Sequence, residues 1–180
     1  MILTELKQLE QESKKRGIPI IGHEKGAWLL KKIKEHQPKL ILELGTANGY
    51  SGIILGSEGA KLITVEQDPK RVNEAEHNFS KFNIKATVVN NDAEIEVKNT
   101  AKEKKNHNTF DLIFIDFAKK GYNKVLDDCI KLVKKRGIII ADNITMAGCR
   151  DFKERVLKHP QLKTEIIDIK DGLSCSMKVR

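Results

Sequence analysis

The stretch Ile41-Leu42-Glu43-Leu44-Gly45-Thr46-Ala47-Asn48-Gly49-Tyr50-Ser51 decides how the rest of the chain is read. Its apolar start predicts a buried strand over Leu40–Leu44, its glycines a tight turn, and the residues from Ser51 a helix. Gly45 and Gly49 let the backbone turn sharply and approach a ligand without a Cβ in the way. The helix that follows offers its first N–H groups to an anionic group.

Working outward, the same alternation continues to both ends. Residues 2–16 predict a helix with Leu3, Leu6 and Leu9 on one face, ended near Gly17 and Pro19. Residues 24–36 predict a second, with Trp28, Leu29 and Ile33 inward. Downstream lie a strand at Lys61–Glu66, a helix capped by Asp68 with Pro69 in its first turn and running to Phe82, and a strand at Lys85–Asn90. The polar residues 98–108 predict a loop or frayed helix. Asp111–Asp116 is apolar on both faces, as a central parallel strand is. A helix over Tyr122–Lys135, a strand at Gly137–Asp142 and a helix over 150–158 follow. Strands at Lys163–Ile169 and Leu173–Lys178 flank the turn Lys170-Asp171-Gly172, which suits a hairpin. The pattern defines an α/β, Rossmann-like chain with a mostly parallel sheet and helices on both faces. With no linker or repeat, one domain over 1–180 is expected, its first 37 residues forming helices that cover the site.

Composition narrows the function classes. At 39% hydrophobic and 32% charged, the 180 residues describe a globular protein with a sizeable core. No apolar run approaches the roughly 20 residues of a membrane span, so no membrane partner is expected. Met1 to Arg16 lacks the apolar stretch of a signal peptide, which places the protein in the cytoplasm. Cys129, Cys149 and Cys175 are widely spaced, with no C-x-x-C pattern, and read as reduced thiols rather than zinc ligands. The net charge of +8 permits an RNA partner but equally describes solvated helix faces such as Lys31-Lys32-Ile33-Lys34.

The turn after the first strand selects a cofactor. A NAD site would show G-x-G-x-x-G, whereas here the order is Glu43-x-Gly45-x-x-x-Gly49. Glu66, 23 residues after Glu43, stands where an acid accepts hydrogen bonds from ribose hydroxyls in either cofactor class. Glu43 separates the two. A carboxylate there attracts a cationic amino-acid group and repels a pyrophosphate, which favours S-adenosylmethionine over NAD.

Further along, oxygen ligands recur at predicted strand ends: Asp116 after Phe114-Ile115, and Asp142-Asn143 after Ile139-Ile140-Ala141. If those strands are neighbours, two carboxylates and an amide oxygen form a hard site for Mg²⁺, or for Mn²⁺ or Ca²⁺. Singly, each is as well explained as a turn or a helix cap. Lys119, three residues past Asp116, would be driven toward its neutral form by a nearby divalent cation and could act as a general base. Alone, Lys119-Lys120 would be a surface pair.

Taken in order, Ile41–Ser51, Phe110–Asp116, Gly137–Asn143 and Asp171-Gly172-Leu173 resemble the metal-dependent O-methyltransferases, the family of catechol and caffeoyl-CoA O-methyltransferases and bacterial relatives. The resemblance runs from about Gly17 to the C-terminus. It implies a seven-stranded class I methyltransferase fold with an antiparallel last strand, and S-adenosylmethionine as cofactor. It implies cofactor contacts from Glu43, Gly45, Tyr50 and Ser51, with Thr46, Gly49, Gln67 and Asp116 in the same set, ribose contact from Glu66 and adenine contact from Asp92-Ala93. Asp116, Asp142 and Asn143 fall on the family's metal positions, and Lys119 and Asp116 on its catalytic ones. The segment Ile144–Cys149 is short where small-molecule members carry a longer loop, and Ile18-Pro19-Ile20 with Gly22-His23-Glu24 is similar to the branch that methylates 5-hydroxyuridine in tRNA. The acceptor implied is therefore a catechol-like small molecule or tRNA. Relatives are often dimers, and the short amphipathic N-terminal helix is the expected interface. A non-catalytic S-adenosylmethionine- or RNA-binding module is the reading from another class.

Overall fold

Ile41, Leu42 and Leu44 are buried on both faces of their strand, and a strand of that kind needs helices on each side. In the computed structural model, which describes residues 2–180, those helices and strands gather into two compact units, the first ending at Asn91 and the second covering Asp92–Arg180.

The first unit contains α1 (Ile2–Glu5), α2 (Lys7–Lys15), α3 (Gly22–His36), β1 (Leu40–Leu44), α4 (Tyr50–Gly56), β2 (Lys61–Glu66), α5 (Pro69–Lys81) and β3 (Ala86–Asn90). β1 pairs with β2 in parallel from Leu40↔Lys61 to Leu44↔Val65, and β2 with β3 from Leu62↔Ala86 to Glu66↔Asn90. Leu29 and Ile33 of α3, Ile53 and Ile54 of α4 and Phe79 of α5 are buried in the core of this unit. Asp68 caps α5 as expected, its carboxylate accepting from the Lys70 N–H at 2.8 Å. The helix expected over 2–16 is interrupted at Leu6, where α1 gives way to α2. Leu3, Leu6 and Leu9 are buried within the chain.

The second unit contains α6 (Ala93–Lys102), β4 (Phe110–Ile115), α7 (Tyr122–Leu132), β5 (Val133–Asp142), α8 (Arg150–Lys158), β6 (Leu162–Ile167) and β7 (Leu173–Lys178). Single 3-10 turns lie at Lys104–Asn106, Lys119–Gly121 and Ala147–Cys149. β4 and β5 are parallel, and β7 runs antiparallel to both β5 and β6. The terminal hairpin is thus present, with Lys170 and Gly172 in the left-handed region at φ 55° and 74°. The seven strands make a mixed sheet with its last strand reversed, the fold class expected.

The stretch 98–108, expected as a loop or frayed helix, divides: residues 98–102 are the end of α6, which Asp92 starts by accepting from the Glu94 and Ile95 N–H groups, and a 3-10 turn covers Lys104–Asn106. The inward stripe of α6 is only Ala93, Val97 and Ala101, too narrow to stand out in a polar sequence. The helix expected to Lys135 stops at Leu132, and β5 begins at Val133. There the chain pairs with Phe110 of β4, and a register shift with Arg136 at φ 67° carries it to Leu112↔Ile138. Strand pairing overrides the helical propensity of Lys134-Lys135-Arg136. The three cysteines are free and buried, and among the described residues no helix is long and apolar enough to cross a membrane.

Candidate active site

The loop between β1 and α4 is built on unusual backbone. Gly45, Ala47 and Gly49 all have positive φ (99°, 47° and 90°), and two of the three positions carry the residue that tolerates it best. Its anchor is Glu43, fully buried on β1 directly across from Thr64 of β2. Ser51 Oγ donates to Glu43 Oε1 at 2.6 Å and Thr64 Oγ1 donates to Oε2 at 2.7 Å. Thr64 has one proton, so Thr46 donates in the 2.5 Å contact between the two threonine hydroxyls. A hydroxyl chain thus fastens strand, loop and helix to one carboxylate. Gly52 belongs to the same arrangement, because a Cβ there would lie 2.8 Å from Glu43 Oε2 and 2.7 Å from the Phe79 ring.

Glu66 closes the loop from the end of β2, where its Oε2 accepts from the Ala47 N–H at 2.9 Å and its Oε1 from the Asp68 N–H at 3.0 Å. Each oxygen retains a further lone pair, the chemistry that neighbouring hydroxyls require. Gln67 is exposed beside it, its carbonyl held by Asn90 Nδ2. The Tyr50 side chain is buried, and its hydroxyl donates to Glu10 Oε2 at 3.2 Å. Burial, then the Glu10 charge, pushes this phenol far above its ordinary range. What Tyr50 can present to a ligand is its backbone.

In the second unit the parallel register ends at Ile115↔Ala141, which sets the next residues, Asp116 and Asp142, side by side at the ends of β4 and β5. Asn143 follows in a left-handed conformation at φ 57°, its N–H donating to Asp142 Oδ1 at 2.7 Å. Its Nδ2 donates to Asp171 of the hairpin turn, which leaves Oδ1 as the amide's acceptor atom. The Thr145 N–H donates to the Asp171 carbonyl at 3.0 Å, so the hairpin sets the course of the chain after β5.

Lys119 lies 2.8 Å from Asp116 Oδ1 and donates to the Tyr122 hydroxyl at 3.1 Å. Tyr122 is buried, its ring centroid 5.5 Å from that of Phe117 and 5.3 Å from that of Phe152, the latter pair T-shaped. Burial first, then the negative charges of Asp116, Asp142 and Asp171, holds its phenol protonated far above the usual range. Burial likewise raises the Cys149 thiol, Lys119 opposing and Asp142 and Asp116 reinforcing it. Among the described residues no cluster of three His, Cys, Asp or Glu side chains forms a metal site. The donors gathered here are two carboxylates and an amide, hard oxygens that match Mg²⁺, Mn²⁺ or Ca²⁺. Asp92 serves as the α6 cap, and Ala93 is buried behind it.

Thr64, Gly52, Tyr122 and Asp171 had no place in the sequence reading of the site. Thr64 carried a usable signal, a lone hydroxyl in the apolar run Leu62-Ile63-Thr64-Val65. Tyr122 looked like the start of a helix and nothing more.

The mixed sheet with its reversed last strand has the fold of the Rossmann-like methyltransferases. It is similar to the O-methyltransferase of Bacillus cereus solved in complex with SAH, with a TM-score of 0.83 at 24% identity over 98% of this chain and 90% of that one. The O-methyltransferase family model matches residues 1–179, and the chain belongs to that family. It is 31% identical to catechol O-methyltransferase of Bos taurus over 144 residues, covering 76% of this chain and 52% of that protein. It is also 31% identical to catechol O-methyltransferase B of Danio rerio over 172 residues, covering 87% of this chain and 64% of that one. The chain therefore spans between half and two thirds of the length of these relatives.

Proposed function

We propose that the protein transfers a methyl group from S-adenosylmethionine to a hydroxyl that lies beside a second oxygen, with a divalent cation, Mg²⁺ foremost, bound by Asp116, Asp142 and Asn143. The observation that carries this reading is the placement of Asp116 and Asp142 side by side with Lys119 2.8 Å from Asp116. The buried carboxylate of Glu43, in a loop of positive φ, supports a cofactor with an ammonium group. Glu66 supports a ribose. When bound, the cofactor supplies an electrophilic methyl on sulfur, and the cation orients the acceptor's two oxygens and acidifies the reacting hydroxyl. Lys119 takes that proton, while Tyr122 and Asp116 hold its amine in place. The contribution of the chain is largely positioning and charge control.

The catechol O-methyltransferases among its relatives favour a catechol-like small molecule as acceptor. The short segment Ile144–Cys149 and the charge of +8 favour 5-hydroxyuridine in tRNA. The deciding experiment measures methyl transfer from labelled cofactor to a catechol and to tRNA from a strain lacking the enzyme, with and without EDTA. Label that persists undiminished in EDTA refutes the metal mechanism, and S-adenosylmethionine binding without transfer to either acceptor favours a binding module. A melting temperature raised by NADH and not by S-adenosylmethionine would restore the reading of the loop as a NAD site. Leu3, Leu6 and Leu9 of the N-terminal helices are packed inside the chain, so the proposed homodimer would not rest on that apolar stripe, and sedimentation of the purified protein checks the assembly. A cytoplasmic location completes the reading and is checked by cell fractionation.

A further inference from the structure

We propose that Glu10 and Ser13, on α2, are positioning residues for the cofactor loop, setting the affinity for S-adenosylmethionine without touching it. The inference rests on reading residues 43–51 as that loop. Asn48, in the middle of the loop, is fully buried and donates from Nδ2 to Ser13 Oγ at 2.7 Å. Ser13 Oγ gives its own proton to the Leu9 carbonyl at 2.6 Å, so the direction of the Asn48 bond is determined. Tyr50 closes the loop and donates to Glu10 Oε2. Glu10 Oε1 in turn accepts from Lys14 Nζ at 2.6 Å, and the carboxylate also takes the His23 N–H at the start of α3. On the far side, Asn78 Nδ2 of α5 donates to the Asn48 carbonyl at 2.8 Å. Asn48 of the loop and Tyr50, the first residue of α4, are thus tied to α2, α3 and α5 by side chains that are themselves buried.

Such ties matter because the loop is strained. Ala47, which carries a Cβ, is held at φ 47° between two glycines that take positive φ freely. The Asn48 Oδ1 is buried with no hydrogen-bond partner, a further cost of holding Nδ2 on Ser13. Released from α2, the loop would populate other conformations, and apparent affinity falls with the fraction that remains competent.

Calorimetric titration of the full chain with S-adenosylmethionine tests this. Ser13→Ala and Glu10→Ala are each expected to weaken binding about tenfold, the effect of losing one hydrogen bond to a buried or charged group. Glu10→Gln, which keeps an acceptor for Tyr50, should recover most of that loss. Glu10→Ala combined with Tyr50→Phe should bind no more weakly than Glu10→Ala alone, because the two act through one bond. Leu6→Ala, a packing change on the same face of the N-terminal segment, should lower the melting temperature and leave the affinity within about twofold at temperatures where the chain is folded. In turnover, the KM for the cofactor rises and kcat at saturation stays. Affinities of Ser13→Ala and Glu10→Ala within twofold of the wild type, or a loss for Leu6→Ala that matches theirs at equal destabilisation, would overturn the proposal. A wild-type chain that binds no S-adenosylmethionine overturns the reading of the loop itself.

Discussion

Thr64→Val tests whether the hydroxyl chain on Glu43 holds the loop together. Valine matches threonine in shape, so no cavity opens and the change removes hydrogen bonds alone. Two are lost: the bond to the Glu43 carboxylate and the one received from Thr46. All three side chains are essentially unexposed, so water cannot replace the missing partner. A hydrogen bond to a charged group contributes about 1.5–3 kcal/mol and a neutral one about 0.5–1.5, which gives a loss of about 3 kcal/mol. With a urea dependence of about 2 kcal/mol per molar, the midpoint falls by about 1.5 M. The assay is urea unfolding followed by far-UV circular dichroism and by the fluorescence of Trp28, the single tryptophan. Coincidence of the two transitions licenses the comparison. Thr64→Ser, which keeps the hydroxyl, should lose far less. A midpoint for Thr64→Val within about 0.25 M of the wild type, roughly 0.5 kcal/mol, would refute the argument that these buried bonds matter.

Gly52→Ala places a methyl 2.7 Å from Phe79 and 2.8 Å from Glu43 Oε2, and should cost about 1–3 kcal/mol in urea unfolding. Under the proposed mechanism, in which Lys119 is the general base, Lys119→Ala should lower kcat by about 10²–10⁴ with the circular dichroism spectrum unchanged, and Lys119→Arg should not restore it. Stability should fall in acid. The hydrogen bonds and charge of Arg16, at 2.6 and 2.9 Å, outweigh burial and hold the Glu74 carboxyl below its ordinary 4.5. A lowered carboxyl stabilises the folded chain above that value and loses its contribution as the pH drops through the folded-state value. Unfolding midpoints measured from pH 6 downward should therefore decline less steeply in Glu74→Gln.

Much of the architecture was legible because it rests on short-range regularities. The β1 turn, the Asp68-Pro69 helix start and the Lys170-Asp171-Gly172 hairpin each follow from residues within a few positions of one another. The misread segments are those where distant partners decide. Lys134-Lys135-Arg136 has helical propensity, yet it lies between Val133 and Ile138, both paired with β4, and is carried as an irregular stretch of strand. The α6 helix hides its stripe in small residues, so periodicity gives little warning.

For the candidate site the division is similar. The chain order alone singles out Glu43, Gly45, Gly49 and Glu66 for the proposed cofactor site, and Asp116, Lys119, Asp142 and Asn143 for the proposed metal and proton-transfer site. Backbone conformation and ligand chemistry are properties of residue type and local spacing, which a sequence displays directly. Only the tertiary structure assigns Thr64 to Glu43, Tyr122 to Lys119, Asp171 to Asn143 and Glu10 to Tyr50. These partners lie 21, 3, 28 and 40 residues apart, and even the nearest pair is joined through a turn rather than a regular helix. A buried hydroxyl or carboxylate must find its hydrogen-bond partner in whatever packing brings near, and that packing is set by the sheet register and helix contacts of the folded chain.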